Sequence, residues 1–295
     1  MTIEENVPLS RFTTLGTGGP AAWLAEPDTQ EKLGEVLSFA RERGFGVAVI
    51  GLGSNLLVAD EGVSMLVLRL RGDLAGARVS HNRVFAGGGS PNAVVLHRAR
   101  AAGLSGFEFA CAIPGTVGGG VWMNAGAYGS DFAAVLVNAR VFSADGDQTL
   151  TPPQLEMTYR TSNLRQGQVV AEACLELTTR PEEEIKATIR ELQLQRKASQ
   201  PTNKRTFGSV FKNPEHELTA GRMLEACGLK GFRIGGAQIS PMHANFIENA
   251  GGASTEDAVA LMVEARRRAH EEYGVVLTHE VEFLGLPELP PVGAE

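Results

Sequence analysis

Between Ile113 and Gly129 the chain reads Ile-Pro-Gly-Thr-Val-Gly-Gly-Gly-Val-Trp-Met-Asn-Ala-Gly-Ala-Tyr-Gly. A flexible linker would be polar and repetitive. Here Ile113, Val117, Val121, Trp122, Met123 and Tyr128 demand burial among six glycines. Glycine among apolar residues marks backbone that comes close to something or turns through positive φ. Bare N–H groups in such a loop can also hold phosphate. Two readings stay open at this point: a tight turn in a packed core, and a loop that wraps a ligand.

With 295 residues the chain is long enough for two or three domains. Its net charge of −7 argues against a general nucleic-acid binder. No apolar run is long enough to span a bilayer, and Met1 to Ser10 carries Glu4 and Glu5 rather than a secretory core. Cys111, Cys174 and Cys227 are scattered and odd in number, which fits reduced thiols and a cytoplasmic protein. No histidine pair has zinc-site spacing, so no metal is expected, and no P-loop motif occurs.

Along the chain, Asp28 and Glu31 predict a capped helix with Leu33, Val36, Leu37 and Ala40 inward and Gly44 at its end. A strand over 46–50 runs into Gly51-Leu52-Gly53-Ser54-Asn55-Leu56-Leu57. This is half of a dinucleotide fingerprint, but Leu56 stands where the third glycine belongs and no long helix follows, which excludes a Rossmann domain. Further strands are expected at 65–70, 137–142 and 169–178, and a hairpin turning at His81-Asn82. In 169–178 the spacing sets Val169, Ala171, Ala173, Leu175 and Leu177 on one face. Ser90 and Pro91 predict the N-cap and first position of a helix ending by Gly103. Glu182, Glu183 and Glu184 open another helix with Ile185, Ile189 and Leu192 buried, and the main domain boundary is expected at Arg180-Pro181. A short helix is expected near 218–227 and a longer one capped by Ser254, then a last strand over 275–284 and a loose tail.

Three places suggest chemistry. Arg196, Lys197, Lys204, Arg205 and Lys212 lie in 196–212 without one acid; around Gly208-Ser209-Val210-Phe211-Lys212-Asn213-Pro214 that composition suits an anionic small molecule. Glu280 shares a strand face with Thr278 and Glu282, and Arg160 follows Tyr159 in a loop. Glu280 and Arg160, each taken alone, read more readily as solvated surface. His243 and His279 read as structural, and Cys111 and Cys227 as inert thiols in apolar surroundings.

Taken in order, these motifs add up. Thr14-Leu15-Gly16-Thr17-Gly18-Gly19-Pro20-Ala21, the 51–57 turn, Ile113–Gly119, Met123–Gly129, Tyr159-Arg160, Gly208–Pro214 and Gly235-Gly236-Ala237-Gln238 together resemble the UDP-N-acetylenolpyruvoylglucosamine reductase (MurB) family over about residues 10–285. The resemblance implies an α+β fold: a two-part FAD-binding region of the vanillyl-alcohol-oxidase (PCMH) type and a separate α+β substrate-binding domain. The expected divisions are 1–70 and 71–180 for the flavin subdomains, 181–285 for the substrate domain and 286–295 for a flexible tail. It implies non-covalent FAD, NADPH as co-substrate, and reduction of UDP-N-acetylglucosamine enolpyruvate to UDP-N-acetylmuramate in peptidoglycan synthesis. The short connection from Arg160 to Glu172 resembles the family's shorter type, which lacks a tyrosine-bearing loop.

Residue by residue, the resemblance implies Arg160, Ser209 and Glu280 as catalytic. It gives Gly51, Gly53, Ser54, Asn55, Gly115, Val117 and Gly119 to the cofactor, and Tyr128, Lys212 and Asn213 to the substrate. The expected partners are the UDP-sugar and NADPH, with neither nucleic acid nor membrane, for a protein that is favoured as a monomer. Two rivals remain: another flavin oxidase of the same superfamily, and a non-catalytic UDP-sugar binder.

Overall fold

The computed structural model describes residues 2–293, so Ala294 and Glu295, the end of the expected tail, lie outside the described residues. The chain forms two compact units. Of the described residues, the first comprises 2–6, Ala22–Leu52 and Ser64–Arg196; the second comprises Val7–Ala21, Gly53–Val63 and 197–293.

The first unit centres on an antiparallel five-stranded sheet, in the order Gly146–Leu150, Leu136–Ser143, Val169–Glu176, Arg83–Gly87, Ala77–Ser80. A four-stranded sheet of Ile3–Pro8, Pro20–Ala25, Val63–Leu68 and Val47–Val49 accompanies it. The expected hairpin is present, with His81 taking the left-handed turn position at φ 52°. The strand Val169–Glu176 differs from its expected simple alternation. Arg140 pairs with Glu172 but Val141 pairs with Val170, so Ala171 is an extra residue, a bulge. The bulge changes which face each side chain takes. Val169 and Ala171 join the core of Leu33, Val36, Leu37, Leu66 and Leu68, whereas Val170, Ala173 and Leu175 join that of Val95, Phe107, Val117 and Phe132. A central strand buried on both faces therefore serves two cores.

Helix Gln30–Arg43 buries the four expected residues and ends at Gly44 with φ 68°. Its cap is Thr29 rather than Asp28, because the Thr29 hydroxyl accepts from the Lys32 amide while the Asp28 carboxylate pairs with the Lys32 ammonium. Helix Asn92–Ala101 likewise begins one residue later than expected, since the Ser90 hydroxyl donates to the Gly76 carbonyl instead of capping. Helix Glu182–Ser199 has its acidic first turn, and Ile185 and Ile189 pack into the core of the first unit. The structure accordingly divides the chain after Arg196, not at the expected boundary of Arg180-Pro181.

The second unit holds an antiparallel four-stranded sheet ordered Thr206–Ser209, Phe246–Asn249, Ala237–Ile239, Arg233–Ile234. Helices Ala220–Ala226 and Thr255–Tyr273 cover a core that includes Phe207, Phe211, Met223, Leu261, Met262 and Leu277. Ser254 caps the longer helix in a reciprocal pair with Asp257, as its spacing predicts. The Asp60 carboxylate adds bonds to the Thr255 and Glu256 amides. After Asn55, Leu56–Val58 is a strand, not a helix, which agrees with excluding a Rossmann turn. The expected strand over 275–284 is only Glu282–Leu284, paired in parallel with Leu56–Val58. The reason lies in its partners: the 278–280 backbone bonds to residues 210–212, and from Glu282 onward the chain bonds to 55–58. Past Gly285 the described tail carries contacts, with Leu286 and Leu289 packed on the core and the Pro290 carbonyl accepting from Arg266.

On helix Thr255–Tyr273, hydrogen bonds from Arg267 and then Arg268 hold the Glu264 carboxyl at about 2, below its usual 4.5. A carboxylate depressed on folding stabilises the fold above its unfolded pKa, and loses that effect as pH falls toward the folded value. Glu264→Gln is therefore expected to cost on the order of 1 kcal/mol at pH 7, after allowance for solvent screening. In denaturant titrations the gap from the parent protein should narrow between pH 4.5 and 2. A gap that is independent of pH would contradict the ion-pair account.

Candidate active site

In the second unit, the segment Gly208–Pro214 is fixed by backbone on both sides. The pairing of Thr206–Ser209 with Phe246–Asn249 shifts register between Thr206 and Ser209, and Gly208 sits in that irregularity at φ 86°. A residue with a Cβ resists this conformation, so glycine is what lets the strand re-aim Ser209. Beyond it, Asn245 acts as a substitute strand. Its carbonyl accepts from the Val210 amide, its Oδ1 accepts from the Phe211 amide at 2.9 Å, and its Nδ2 donates to the Phe211 carbonyl at 2.8 Å. Asn245 is 4% exposed, so these are buried bonds that water cannot replace.

The opposite side of the segment is held by the 278–280 backbone. The Lys212 amide donates to Thr278, the Glu280 amide donates to Val210 at 2.8 Å, and Phe211 bridges His279. Asn55 completes the arrangement. Its Nδ2 donates to the Glu280 carbonyl at 3.0 Å, and its own carbonyl accepts from the Glu282 amide at 3.1 Å. Ser54 lies beside the bulge, where a Cβ on Gly208 would stand 3.4 Å from the Ser54 carbonyl oxygen. The second unit thus brings Ser54, Asn55, Ser209, Lys212 and Glu280 into one backbone-bonded group. Ser209, Lys212 and Glu280 are half-buried in it. Asn213 is exposed, and its Oδ1 accepts from the Ala220 amide at the start of helix Ala220–Ala226.

The two histidines have structural partners, as expected. His279 Nδ1 donates to the Val281 carbonyl and its ring stacks on Phe283; His243 Nδ1 accepts from the Asn245 amide, and burial pushes its pKa down. Burial also pushes the Cys111, Cys174 and Cys227 thiols up, which keeps them protonated and unreactive. The expected basic patch divides: Arg196 ends on the long helix of the first unit, and Lys204, Arg205 and Lys212 belong to the second.

In the first unit, the glycine-rich segment forms a short helix, Val117–Trp122, with Thr116 as N-cap. The expectation of bare N–H groups here needs correction. The Val117 amide donates to Ser90, that of Gly118 to Gly88 at 2.8 Å, and that of Gly120 to Thr116. Close approach explains two glycines of this helix: a Cβ on Gly118 would lie 2.8 Å from the Gly88 oxygen, and one on Gly120 would lie 2.2 Å from the Phe132 ring. A Cβ on Gly51 would likewise lie 2.5 Å from the Thr116 hydroxyl. In the second unit a Cβ on Gly53 would meet the Phe12 carbonyl.

Gly119 is different. It is exposed, and a Cβ there would meet only the Thr116 hydroxyl, at 3.7 Å. Pro114 is exposed and Gly115 half-buried, so part of the turn into the helix is open at the surface. That surface fits a ligand read through its main chain, as an FAD would be. Val117, by contrast, is fully buried with its amide occupied.

Arg160 stands in a tight turn of the first unit at φ 55°, and its Nη2 donates to the Gly126 carbonyl at 2.6 Å. Its guanidinium also lies 5.1 Å from the Tyr159 ring centre. Tyr128 is 42% exposed in a left-handed turn, and its hydroxyl donates to the Leu192 carbonyl. Sequence reasoning passed over Asn245 and Asn124, the two buried amides that brace these groups. Asn124 sat inside a recognised motif, whereas nothing local marked Asn245.

Two family models match the chain: "FAD binding domain" over residues 21–151, and "UDP-N-acetylenolpyruvoylglucosamine reductase, C-terminal domain" over residues 200–284. UDP-N-acetylenolpyruvoylglucosamine reductase 2 of Symbiobacterium thermophilum is 42% identical, across 98% of this chain and 94% of that protein. The reductase of Bacillus subtilis is 40% identical, across 95% of this chain and 93% of its own length. Among solved structures, UDP-N-acetylenolpyruvylglucosamine reductase (MurB) from Thermus caldophilus superposes with a TM-score of 0.84. The two are 38% identical, over 96% of this chain and 99% of that one.

The bracing role of Asn245 is open to direct measurement. Asn245→Ala leaves a buried amide and a buried carbonyl of Phe211 without partners, an expected cost of about 2–4 kcal/mol in denaturant unfolding. Asn213→Ala removes an acceptor at the start of helix Ala220–Ala226 from an exposed residue, an expected cost of about 1 kcal/mol. Equal effects of the two substitutions would contradict the account.

Proposed function

Because this chain belongs to the UDP-N-acetylenolpyruvoylglucosamine reductase family, we infer that it reduces UDP-N-acetylglucosamine enolpyruvate to UDP-N-acetylmuramate for peptidoglycan synthesis, with FAD as cofactor and NADPH as reductant. The observation that carries this reading is the extent of the likeness: 98% of the chain aligns with a reductase, so both units are included. Non-covalent binding of FAD, a monomeric state and a cytoplasmic location belong to the same reading. Among the described residues, no helix is long and apolar enough to cross a membrane.

FAD, when bound, supplies the hydride chemistry, accepting from NADPH and delivering to the enolpyruvyl group. The remaining work falls to the protein. An enol ether is electron-rich, so a hydride adds only if negative charge can flow into the adjacent carboxylate. We assign that stabilisation to Arg160, whose guanidinium can pair with a carboxylate through two donors. Glu280 would assist as a hydrogen-bond donor in its protonated form. The backbone around it is already fixed by Val210 and Asn55, so the point from which its side chain projects is set before substrate binds.

Ser209 would give the proton to the carbon next to the one that receives hydride. A serine hydroxyl is a weak acid, and a positive field from nearby Lys212 favours that transfer. For the cofactor, the proposed contacts are backbone at Gly51, Gly115 and Gly119 in the first unit and, taken separately, Gly53, Ser54 and Asn55 in the second. Val117 contributes to it through its place in the helix core. Tyr128, Lys212 and Asn213 are the proposed substrate contacts.

Stopped-flow absorbance separates the two half-reactions. Ser209→Ala should leave flavin bleaching by NADPH unchanged and slow reoxidation by the enolpyruvyl sugar at least about 100-fold. Near-parental reoxidation would remove Ser209 from this role. Glu280→Gln should retain more of the reoxidation rate than Glu280→Ala, since an amide still donates; equal losses would argue against the hydrogen-bond role.

A further inference from the structure

Six non-glycine residues among those described take a left-handed backbone, and four of them fall between 124 and 160: Asn124 (φ 44°), Tyr128 (53°), Glu156 (47°) and Arg160 (55°). Each such residue carries strain that its surroundings must hold in place. Asn124 is where this corner of the first unit is tied together. It is 1% exposed, and its side chain makes three bonds to two different segments, 131–133 and Thr158. Nδ2 donates to the Thr158 carbonyl at 2.9 Å and to Asp131 Oδ2 at 3.1 Å, and Oδ1 accepts from the Ala133 amide at 2.9 Å.

Thr158 pairs with Thr161, so Tyr159 and Arg160 are the two central residues of the turn that Asn124 holds. The far side of the turn is held by the same segment, since the Ser162 hydroxyl donates to the Trp122 carbonyl. The Arg160 guanidinium then reaches back to the Gly126 carbonyl, two residues beyond Asn124. Only glycine fits at 126: a Cβ there would lie 2.5 Å from the Ser130 oxygen, 2.7 Å from Asp131 Cβ and 3.1 Å from Arg160 Nη1. The turn, the guanidinium and the 122–131 segment are thus one hydrogen-bonded assembly with Asn124 at its buried centre.

We propose that Asn124 is the positioning residue for Arg160: it sets the turn from which the guanidinium projects, and so fixes where that charge meets a substrate carboxylate. The proposal rests on the role assigned to Arg160 above. The bonding pattern demands an amide. A carboxylate at 124 would keep the bond to Ala133 but oppose the Thr158 carbonyl and Asp131. A displacement of the guanidinium by about 1 Å is enough to cost a reaction about 100-fold.

The test is a double-mutant cycle on the two half-reactions, with Asn124→Asp, Arg160→Ala and the double variant. Asn124→Ser serves as a second probe that shortens the side chain without adding charge. Asn124→Asp and Asn124→Ser should each slow substrate-driven flavin reoxidation by about 10–100-fold, with flavin content and NADPH-driven bleaching retained. In the Arg160→Ala background either change should slow it by less than about 2-fold, because the group being positioned is gone. Independent, multiplicative losses, or equal slowing of both half-reactions, would overturn the proposal and leave Asn124 a general structural residue. If Arg160→Ala itself leaves reoxidation at the parental rate, the assignment of Arg160 fails instead, and the two failures are told apart by that single variant.

Discussion

The close approach of the Gly118 amide to the Gly88 carbonyl, at 2.8 Å, is the constraint around which the first unit is built. It brings a short helix onto the run Gly87-Gly88-Gly89, where a Cβ on Gly88 would lie 1.7 Å from the Val170 oxygen. Side chains are excluded from this contact on both sides, so glycine is required twice over. The result is a helix whose inner face packs on Phe132 while Pro114, Gly115 and Gly119 remain accessible. Of the two readings that the sequence left open for this segment, the packed turn is realised through Gly118 and Gly120, and the accessible backbone at Gly119 supports the proposed ligand-facing role.

The second unit solves a related problem with amides instead of glycines. The Ser209 strand has sheet on one side only up to the bulge at Gly208; beyond it the buried Asn245 takes over the hydrogen bonds that a neighbouring strand would make. Asn55, far away in sequence, binds the carbonyl of Glu280, whose amide binds Val210. The motif at 51–57, the motif at 208–214 and the last segment of the chain are therefore parts of one bonded group. This gives a physical reason for their joint appearance beyond any direct contact with a cofactor. The first unit repeats the device, with Asn124 bracing the turn of Arg160.

Much of this was legible before any coordinates. Caps and periodicity located helices Gln30–Arg43 and Thr255–Tyr273, because Gly44 and Ser254 leave local signals. The motif order gave the family, and with it the chemistry. What stayed hidden was set by partners distant in sequence. Ser90 has the right type for a cap, but the Gly76 carbonyl claims its hydroxyl. The bulge at Ala171 reverses a strand's facing without changing its apolar composition. Residues 275–284 alternate like a strand, yet their hydrogen bonds go to two separate segments. A buried amide such as Asn245 looks like any other asparagine until both of its partners are known.

The measurement that tests the account most directly is an anaerobic titration of the purified yellow protein. One equivalent of NADPH should bleach the flavin. UDP-N-acetylglucosamine enolpyruvate should then restore the colour and yield an equal amount of UDP-N-acetylmuramate, identified by mass. A reduced protein that stays bleached in the presence of that sugar nucleotide, and regains its colour only when oxygen is admitted, would contradict the account.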